Sequence, residues 1–290
     1  MPSVESYYDN QEAVSIIVTI FQQVQERLTE QFEDYDSFYA SLKGIIFQEF
    51  AKYSLCRTII IDNDEELTVN IKNKHIVSFI AIDSPDNYRT NQSFGTLFSI
   101  LDMNGKKHKN ITTDNINLCG YCLYGFQTQL VISEHQQTHL FRYQPNKQSF
   151  VIEKQNLRIP NQGIYYYIDE SKRESWGTYY LHKLTNKLRQ DYHQKYSNSM
   201  ISDIHSILLQ GGIYIKPLNT TDTTNKCYVF HCAYPIAFIL ERCGGKATDG
   251  ENLIKELPFS SVKKTQLICG SMYEMDLLSD ILSPKLLFFD

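Results

Sequence analysis

The segment Asp83-Ser84-Pro85-Asp86 places two carboxylates three residues apart. It follows an apolar run over residues 77–82 that reads as a strand, and a strand end turning into a loop there can aim both carboxylates at one cation. Carboxylate oxygens suit hard divalent ions such as Mg²⁺. A second acidic cluster, Asp62-Asn63-Asp64-Glu65-Glu66, follows Thr58-Ile59-Ile60-Ile61. It reads either as a further source of ligands or as an acidic hairpin turn between two strands. His231-Cys232 offers softer donors, better matched to zinc or copper. Neighbours on a strand point to opposite faces, however, so a packed strand residue is the reading of Cys232. Cys119-Gly120-Tyr121-Cys122 has no second pair to complete a metal site and reads as buried thiols. Seven cysteines, an odd number scattered along the chain, do not form a disulfide framework.

The elements that must hold these residues follow from periodicity. Val14, Ile17, Phe21, Val24 and Leu28 recur at three- and four-residue spacing and predict a helix over 11–32. Phe38, Leu42, Ile45, Ile46 and Phe50 predict a second over 36–52. Short β-rich runs follow at 58–61, 77–82, 95–101, 129–133, 139–143 and 149–152, with a hairpin at Asn104-Gly105. A helix and turn is expected over 120–125. Beyond Pro160, helices are expected over 176–192, 203–210, 235–243 and 272–282. Gly211-Gly212 and Gly244-Gly245 supply stop signals, and Ser271 caps the last helix. Strands at 213–215 and 228–230 flank a Thr/Asn loop. The expected organisation is an α/β (mixed α+β) chain in two packed halves, 1–155 and 156–290.

Seven blocks occur in one order: Gly95-Thr96-Leu97-Phe98, the Gly120 to Gly125 run, Ile159-Pro160-Asn161-Gln162-Gly163-Ile164, the Ser199 to His205 run, Gly211-Gly212-Ile213-Tyr214, Pro235-Ile236-Ala237-Phe238 and Gly244-Gly245-Lys246-Ala247-Thr248. On these blocks the chain resembles the fructose-1,6-bisphosphatase family. The resemblance implies a layered α-β-α-β-α sugar-phosphatase fold, and a phosphate monoester hydrolysis in which divalent cations clamp the reacting oxygens. The family's Asp-Pro-Leu-Asp-Gly-Ser-Ser motif corresponds to Asp83-Ser84-Pro85-Asp86-Asn87-Tyr88-Arg89. Both aspartates remain, but the glycine is Asn87 and the hydroxyl pair is Tyr88 and Arg89. The family's Glu-Glu ligands correspond to Asp62-Asn63 or to Glu65-Glu66, the register being open. Its Glu three residues before a proline is Cys232, and an Asp on the second helix falls near Lys43. On the sugar side Lys226 matches a phosphate-contacting lysine, and Asp169-Glu170 matches an Asn-Glu pair. An Arg-Tyr pair becomes Lys195-Tyr196, and a phosphate-binding Tyr becomes Gln210. The nucleotide-effector Lys-Tyr of animal-type members is Val77-Ser78, which implies no such regulation.

The resemblance therefore leaves Asp62, Asp83 and Asp86 as residual metal ligands, and Lys226, Asp169 and Glu170 as residual substrate-binding groups. Monoester hydrolysis needs up to ~10²¹-fold acceleration, and groups that act as a unit cost many orders of magnitude when lost. The expectation is a pseudoenzyme with a structural, scaffold or sensor role, without a cofactor, as a homo-oligomer or a subunit of a larger assembly that retains a sugar phosphate as its small ligand. The alternative is an active Mg²⁺-dependent phosphatase on fructose-1,6-bisphosphate or a related ester. A net charge of −5, with no basic stripe beyond Lys106-Lys107-His108-Lys109, argues against nucleic acid as a partner. No apolar stretch reaches membrane-span length. The first residues lack the basic region of a signal peptide, so a cytoplasmic location is expected.

Overall fold

The computed structural model describes residues 3–29, 34–62, 65–103, 111–135, 137–218 and 227–282. Two helices lead, α1 (Gln11–Thr29) and α2 (Tyr35–Phe50). Then come β1 (Cys56–Ile61), β2 (Glu65–Thr68), β3 (His75–Ile80), the short α3 (Pro85–Arg89), β4 (Phe94–Asp102), β5 (Ile116–Tyr124), β6 (Gln129–Glu134), β7 (Gln137–Gln144) and β8 (Ser149–Lys154). These eight strands form one sheet in the order β2-β1-β3-β4-β5-β6-β7-β8. Among the described residues of this sheet, β1 and β3 alone pair in parallel. The second part comprises β9 (Tyr165–Tyr167), α4 (Tyr179–Asp191), β10 (His193–Lys195), α5 (Met200–Gln210), β11 (Ile213–Lys216), α6 (Tyr234–Arg242), β12 (Lys246–Thr248), β13 (Leu267–Gly270) and α7 (Met272–Leu282). Its sheet runs β10-β9-β11-β13-β12.

Side-chain alternation assigns each sheet face to a different helix layer. On β4 and β5, Phe98, Ile100, Leu118 and Cys122 pack with Ile17 and Phe21 of α1 and with Phe38 and Ile46 of α2. Leu97, Leu101, Cys119 and Tyr121 face the other way, onto Ile204 and Ile207 of α5 and Ile236 and Phe238 of α6. That same cluster takes in Tyr214 and Cys269 from the second sheet. The far face of the second sheet, through Tyr166, Ile213 and Ile268, packs on Leu184 of α4 and Leu278 of α7. The layers are therefore α-β-α-β-α, as the resemblance implies. Cys119 and Cys122 are both buried and lie on opposite faces of β5.

Three expectations need correction. Residues 120–125 are not a helix and turn, since β5 runs through Tyr124. A strand covered on both faces has no polar alternation, and its continuous apolar run cannot be told from a helix by period alone. Gly120 sits there because a Cβ would run into the Val131 carbonyl and the Phe98 ring. Residues 228–230 are likewise not a strand. Tyr228 makes an isolated bridge to Lys264, and a π-helical turn, Val229–Ala233, then runs directly into α6. The third correction is at Pro85, where a helical turn replaces the expected loop: proline is well suited to the first turn of a helix, where its missing N–H is not needed. The Asn104-Gly105 turn, the Lys106 to Lys109 run and most of the Thr/Asn loop lie outside the described residues.

Candidate active site

A cavity of about 440 Å³ opens where the two sheets and α2 converge. One wall carries Asp62 at the end of β1, with Asp83 and Asp86 after β3. The opposite wall carries Asp169, Lys172 and Trp176, with Lys216 at the end of β11. Tyr35, Tyr39, Tyr196, Tyr214 and Tyr228 line much of the rest, and Met200, His231 and Cys232 close the floor.

Asp83 is half-buried and heavily engaged. Its Oδ1 accepts from the Gly95 N–H at 2.7 Å. Its Oδ2 accepts from the Ser199 hydroxyl at 2.7 Å and the Ile201 N–H at 2.8 Å. Ser199 meanwhile caps α5 by accepting from the Ser202 N–H. Ile201 N–H is one of the donors a helix start leaves unpaired, so Asp83 acts as a second cap supplied from the other sheet, with a negative charge at the positive helix end. Burial raises the Asp83 pKa, and the three donors oppose that shift. Asp203, in the first turn of α5 and more deeply buried, is raised to about 7, mainly by desolvation.

Asp86 is a different kind of group. Its side chain is 79% exposed and pairs with Arg89 at 3.2 Å within the single turn of α3. The three residues that replace the family's glycine and hydroxyls hold this turn in place. Asn87 donates to the carbonyls of Ser93 at 2.7 Å and Ser197 at 2.8 Å. Tyr88 stacks on Phe38 of α2 with centroids 4.8 Å apart, and the Arg89 guanidinium lies 4.5 Å from the Tyr35 ring centroid.

Asp62 accepts from the Tyr39 hydroxyl at 2.6 Å and from the Ala81 N–H at 3.1 Å. β1 and β2 form an antiparallel pair across the acidic cluster, with Glu66 exposed on the edge strand and away from the cavity. Asp62 lines the cavity; Asn63, Asp64 and the side chain of Glu65 lie outside what the structure describes. Lys43 sits on α2 with its ammonium 4.6 Å from the Tyr39 ring centroid.

Cys232 occupies the π-helical turn, not a strand. Its sulfur is 3.1 Å from Cys227 Sγ and 3.4 Å from Met200 Sδ. His231 is no partner for it, since His231 Nδ1 is held by the Ser78 hydroxyl at 2.7 Å. Burial lowers the His231 pKa to about 4, which keeps the ring neutral at ordinary pH.

On the sugar side, Asp169 faces the cavity and accepts from the Ser171 N–H. The expectation for Glu170 does not hold in this geometry. Its carboxylate is tied to Arg189 at 2.5 Å and Arg173 at 3.2 Å, and it takes no part in the cavity lining. Those two arginines, one on α4 and one on the turn before it, engage its carboxylate. Lys226 lies outside the described residues. Lys195 is on an edge strand, its ammonium 3.5 Å from the Tyr165 ring centroid, whereas Tyr196 lines the cavity. Sequence reasoning missed Lys172 and Lys216. Lys172 lies three residues past Asp169, and Lys216 ends the strand after Gly211-Gly212, just outside the blocks that carry the resemblance.

Among the described residues, no group of three His, Cys, Asp or Glu side chains is placed to hold a metal ion. Asp83 accepts three protein hydrogen bonds, and Cys232 presents a thiol where a hard cation needs oxygen. The described donor set thus lacks one of the oxygen ligands the resemblance implies.

The layers and the cavity at their junction define a protein of the sugar-phosphatase fold. The family profile described as fructose-1-6-bisphosphatase, C-terminal domain, matches residues 144–283. A class 1 fructose-1,6-bisphosphatase of Trichormus variabilis is 31% identical over 68% of this chain and 59% of its own length. One from a Synechococcus strain is 33% identical over 66% of this chain and 60% of its own length. The chain thus spans about three fifths of the length of these curated relatives. The crystal structure of Leishmania major fructose-1,6-bisphosphatase in holo form superposes with a TM-score of 0.88 at 20% identity, covering 97% of this chain and 98% of that one. The chain belongs to the fructose-1,6-bisphosphatase family.

Proposed function

We propose that this protein binds a sugar phosphate in the cavity without hydrolysing it, and serves as a sensor or scaffold subunit. The observation that carries this reading is Asp83. It caps α5 through three hydrogen bonds, a structural role that does not depend on a metal. Cys232 in place of a carboxylate points the same way. In this reading residues 1–155 carry the degenerate metal loop and residues 156–290 the sugar-phosphate-binding half. Lys172 and Lys216 supply positive charge to a phosphate from the cavity wall, Lys226 adds a third cation, and the tyrosines stack on the sugar. A homo-oligomer in the cytoplasm completes the proposal. Among the described residues no helix is long and apolar enough to cross a membrane.

The second reading is an active divalent-metal sugar-bisphosphatase. Asp62, Asp83 and Asp86 border one cavity, and the similar curated proteins are named for that activity. Calorimetric titration with Mg²⁺, Mn²⁺ and fructose-1,6-bisphosphate, paired with a phosphate-release assay, separates the two. Heat on adding the sugar phosphate with no release above a protein-free control is expected. Metal-dependent release that disappears in Asp86→Asn would establish the second reading, and Asp86 is exposed enough for that variant to fold.

A further inference from the structure

The cavity floor holds a feature that neither hydrolysis nor sugar binding uses. Cys227 and Cys232 bring their sulfurs to 3.1 Å, and both side chains are buried. Two unbonded sulfurs at that range are held closer than an ordinary packing contact. The spacing follows from the backbone: the π-helical turn carries Cys232 back over the residue that precedes its cap, with the Cys232 N–H donating to the Tyr228 carbonyl at 3.1 Å. Cys232 forms part of the cavity surface, which gives a small oxidant a route to it. The other five cysteines have no comparable sulfur partner among the described residues; Cys119 Sγ, for example, bonds to the Pro235 carbonyl.

We propose that Cys227 and Cys232 form a reversible disulfide on exposure to a hydroperoxide, making the cavity floor a redox-modifiable site. The two sulfurs need to close from 3.1 Å to a bond of about 2.05 Å, a distance covered by side-chain rotation. The Cys232 S–H holds the Cys227 thiolate and the Lys216 ammonium assists, so the Cys227 pKa lies below that of an ordinary thiol despite burial. Loss of one proton from the pair, with transfer of the other to Cys227, leaves a thiolate on the cavity side. The Cys232 thiolate attacks the O–O bond of the peroxide, forming a sulfenic acid and hydroxide, and the hydroxide takes back from solvent the proton the pair gave up and leaves as the first water. Cys227 then attacks that sulfur, the S–O bond breaks, and the departing hydroxide takes the Cys227 proton as a second water. Two thiols and one peroxide become one disulfide and two waters, with two electrons passing from sulfur to oxygen.

The test uses the full chain treated with hydrogen peroxide, then alkylated in denaturant and digested with trypsin. Residues 227–242 fall in one tryptic peptide, between Lys226 and the cleavage after Arg242, whereas Cys269 falls in another. The expected result is that this peptide loses two hydrogens and both alkylation sites, that dithiothreitol restores them, and that the other five cysteines alkylate fully. Cys227→Ser is expected to leave Cys232 as a dimedone-reactive sulfenic acid. The proposal is overturned if all seven cysteines still alkylate, if Cys232 links to Cys269, or if it proceeds to sulfinic acid with Cys227 still free. The wild-type mass alone decides the matter even if a serine variant fails to fold. The outcome is independent of whether the cavity binds or hydrolyses a sugar phosphate.

Discussion

At Asp83 the same side chain can be described as a metal ligand or as a helix cap, and the two roles predict different things. As a cap, its removal is felt without any metal. Asp83→Asn keeps the shape but turns an NH₂ toward donors, so at least one of Gly95 N–H, Ser199 O–H and Ile201 N–H loses its acceptor. A buried donor left unpaired costs about 1–3 kcal/mol. Urea unfolding in metal-free buffer is expected to show a loss of that size, and an unchanged midpoint would remove Asp83 from the capping role. Asn87, Tyr88 and Arg89 make the complementary case. Each replaces a group the family uses for phosphate or leaving-group chemistry, and each has been given a packing task between α3, α2 and the Ser197 loop.

The element that organises this region is the start of α5. It meets β4 so closely that a Cβ on Gly95 would lie 2.6 Å from Ile201 Cβ. Gly95 is therefore a matter of space, because its φ raises no demand that other residues cannot meet. Gly95→Ala overpacks the contact and is expected to cost about 1–3 kcal/mol. Trimming the opposing side chain in Gly95→Ala/Ile201→Ala is expected to recover part of the loss relative to the sum of the single changes. A double-mutant cycle by chemical denaturation measures this coupling; simple additivity would mean that the helix start and the strand do not constrain each other. The same approach delivers the Ser199 and Ile201 donors to Asp83, so strand spacing, helix cap and cavity wall are one arrangement.

For the molecule as a whole, the central layer matters most. α5 and α6 belong to a single apolar cluster that reaches Leu97 and Tyr121 on the first sheet and Tyr214 and Cys269 on the second. The two sheets consequently share a core across the layer between them. Ile204 is fully buried in that layer, and Ile204→Ala is expected to cost about 2–5 kcal/mol. Hydrogen exchange should show amides of β5 and β13 losing protection together; loss confined to one sheet would mean that the halves open separately.

By itself the sequence determined the layers and the family. Apolar spacing placed α1 and α2 within a few residues of their observed ends, because an amphipathic face must repeat every three to four residues to be buried. Two of the block glycines, Gly95 and Gly120, stand where an added Cβ would meet neighbouring atoms. The sequence also located the Asp83 to Arg89 loop and the departure at Cys232. Only the tertiary structure decided what these residues do. That Asp83 caps a helix more than one hundred positions away, that Glu170 turns to Arg189 rather than the cavity, and that Lys172 and Lys216 enter it are facts of three-dimensional proximity, which spacing along the chain does not encode. The Cys227–Cys232 contact has the same origin. A π-helical turn and a strand are equally compatible with a short buried apolar run, and only the packing of α6 against the two sheets selected the one that brings the sulfurs together.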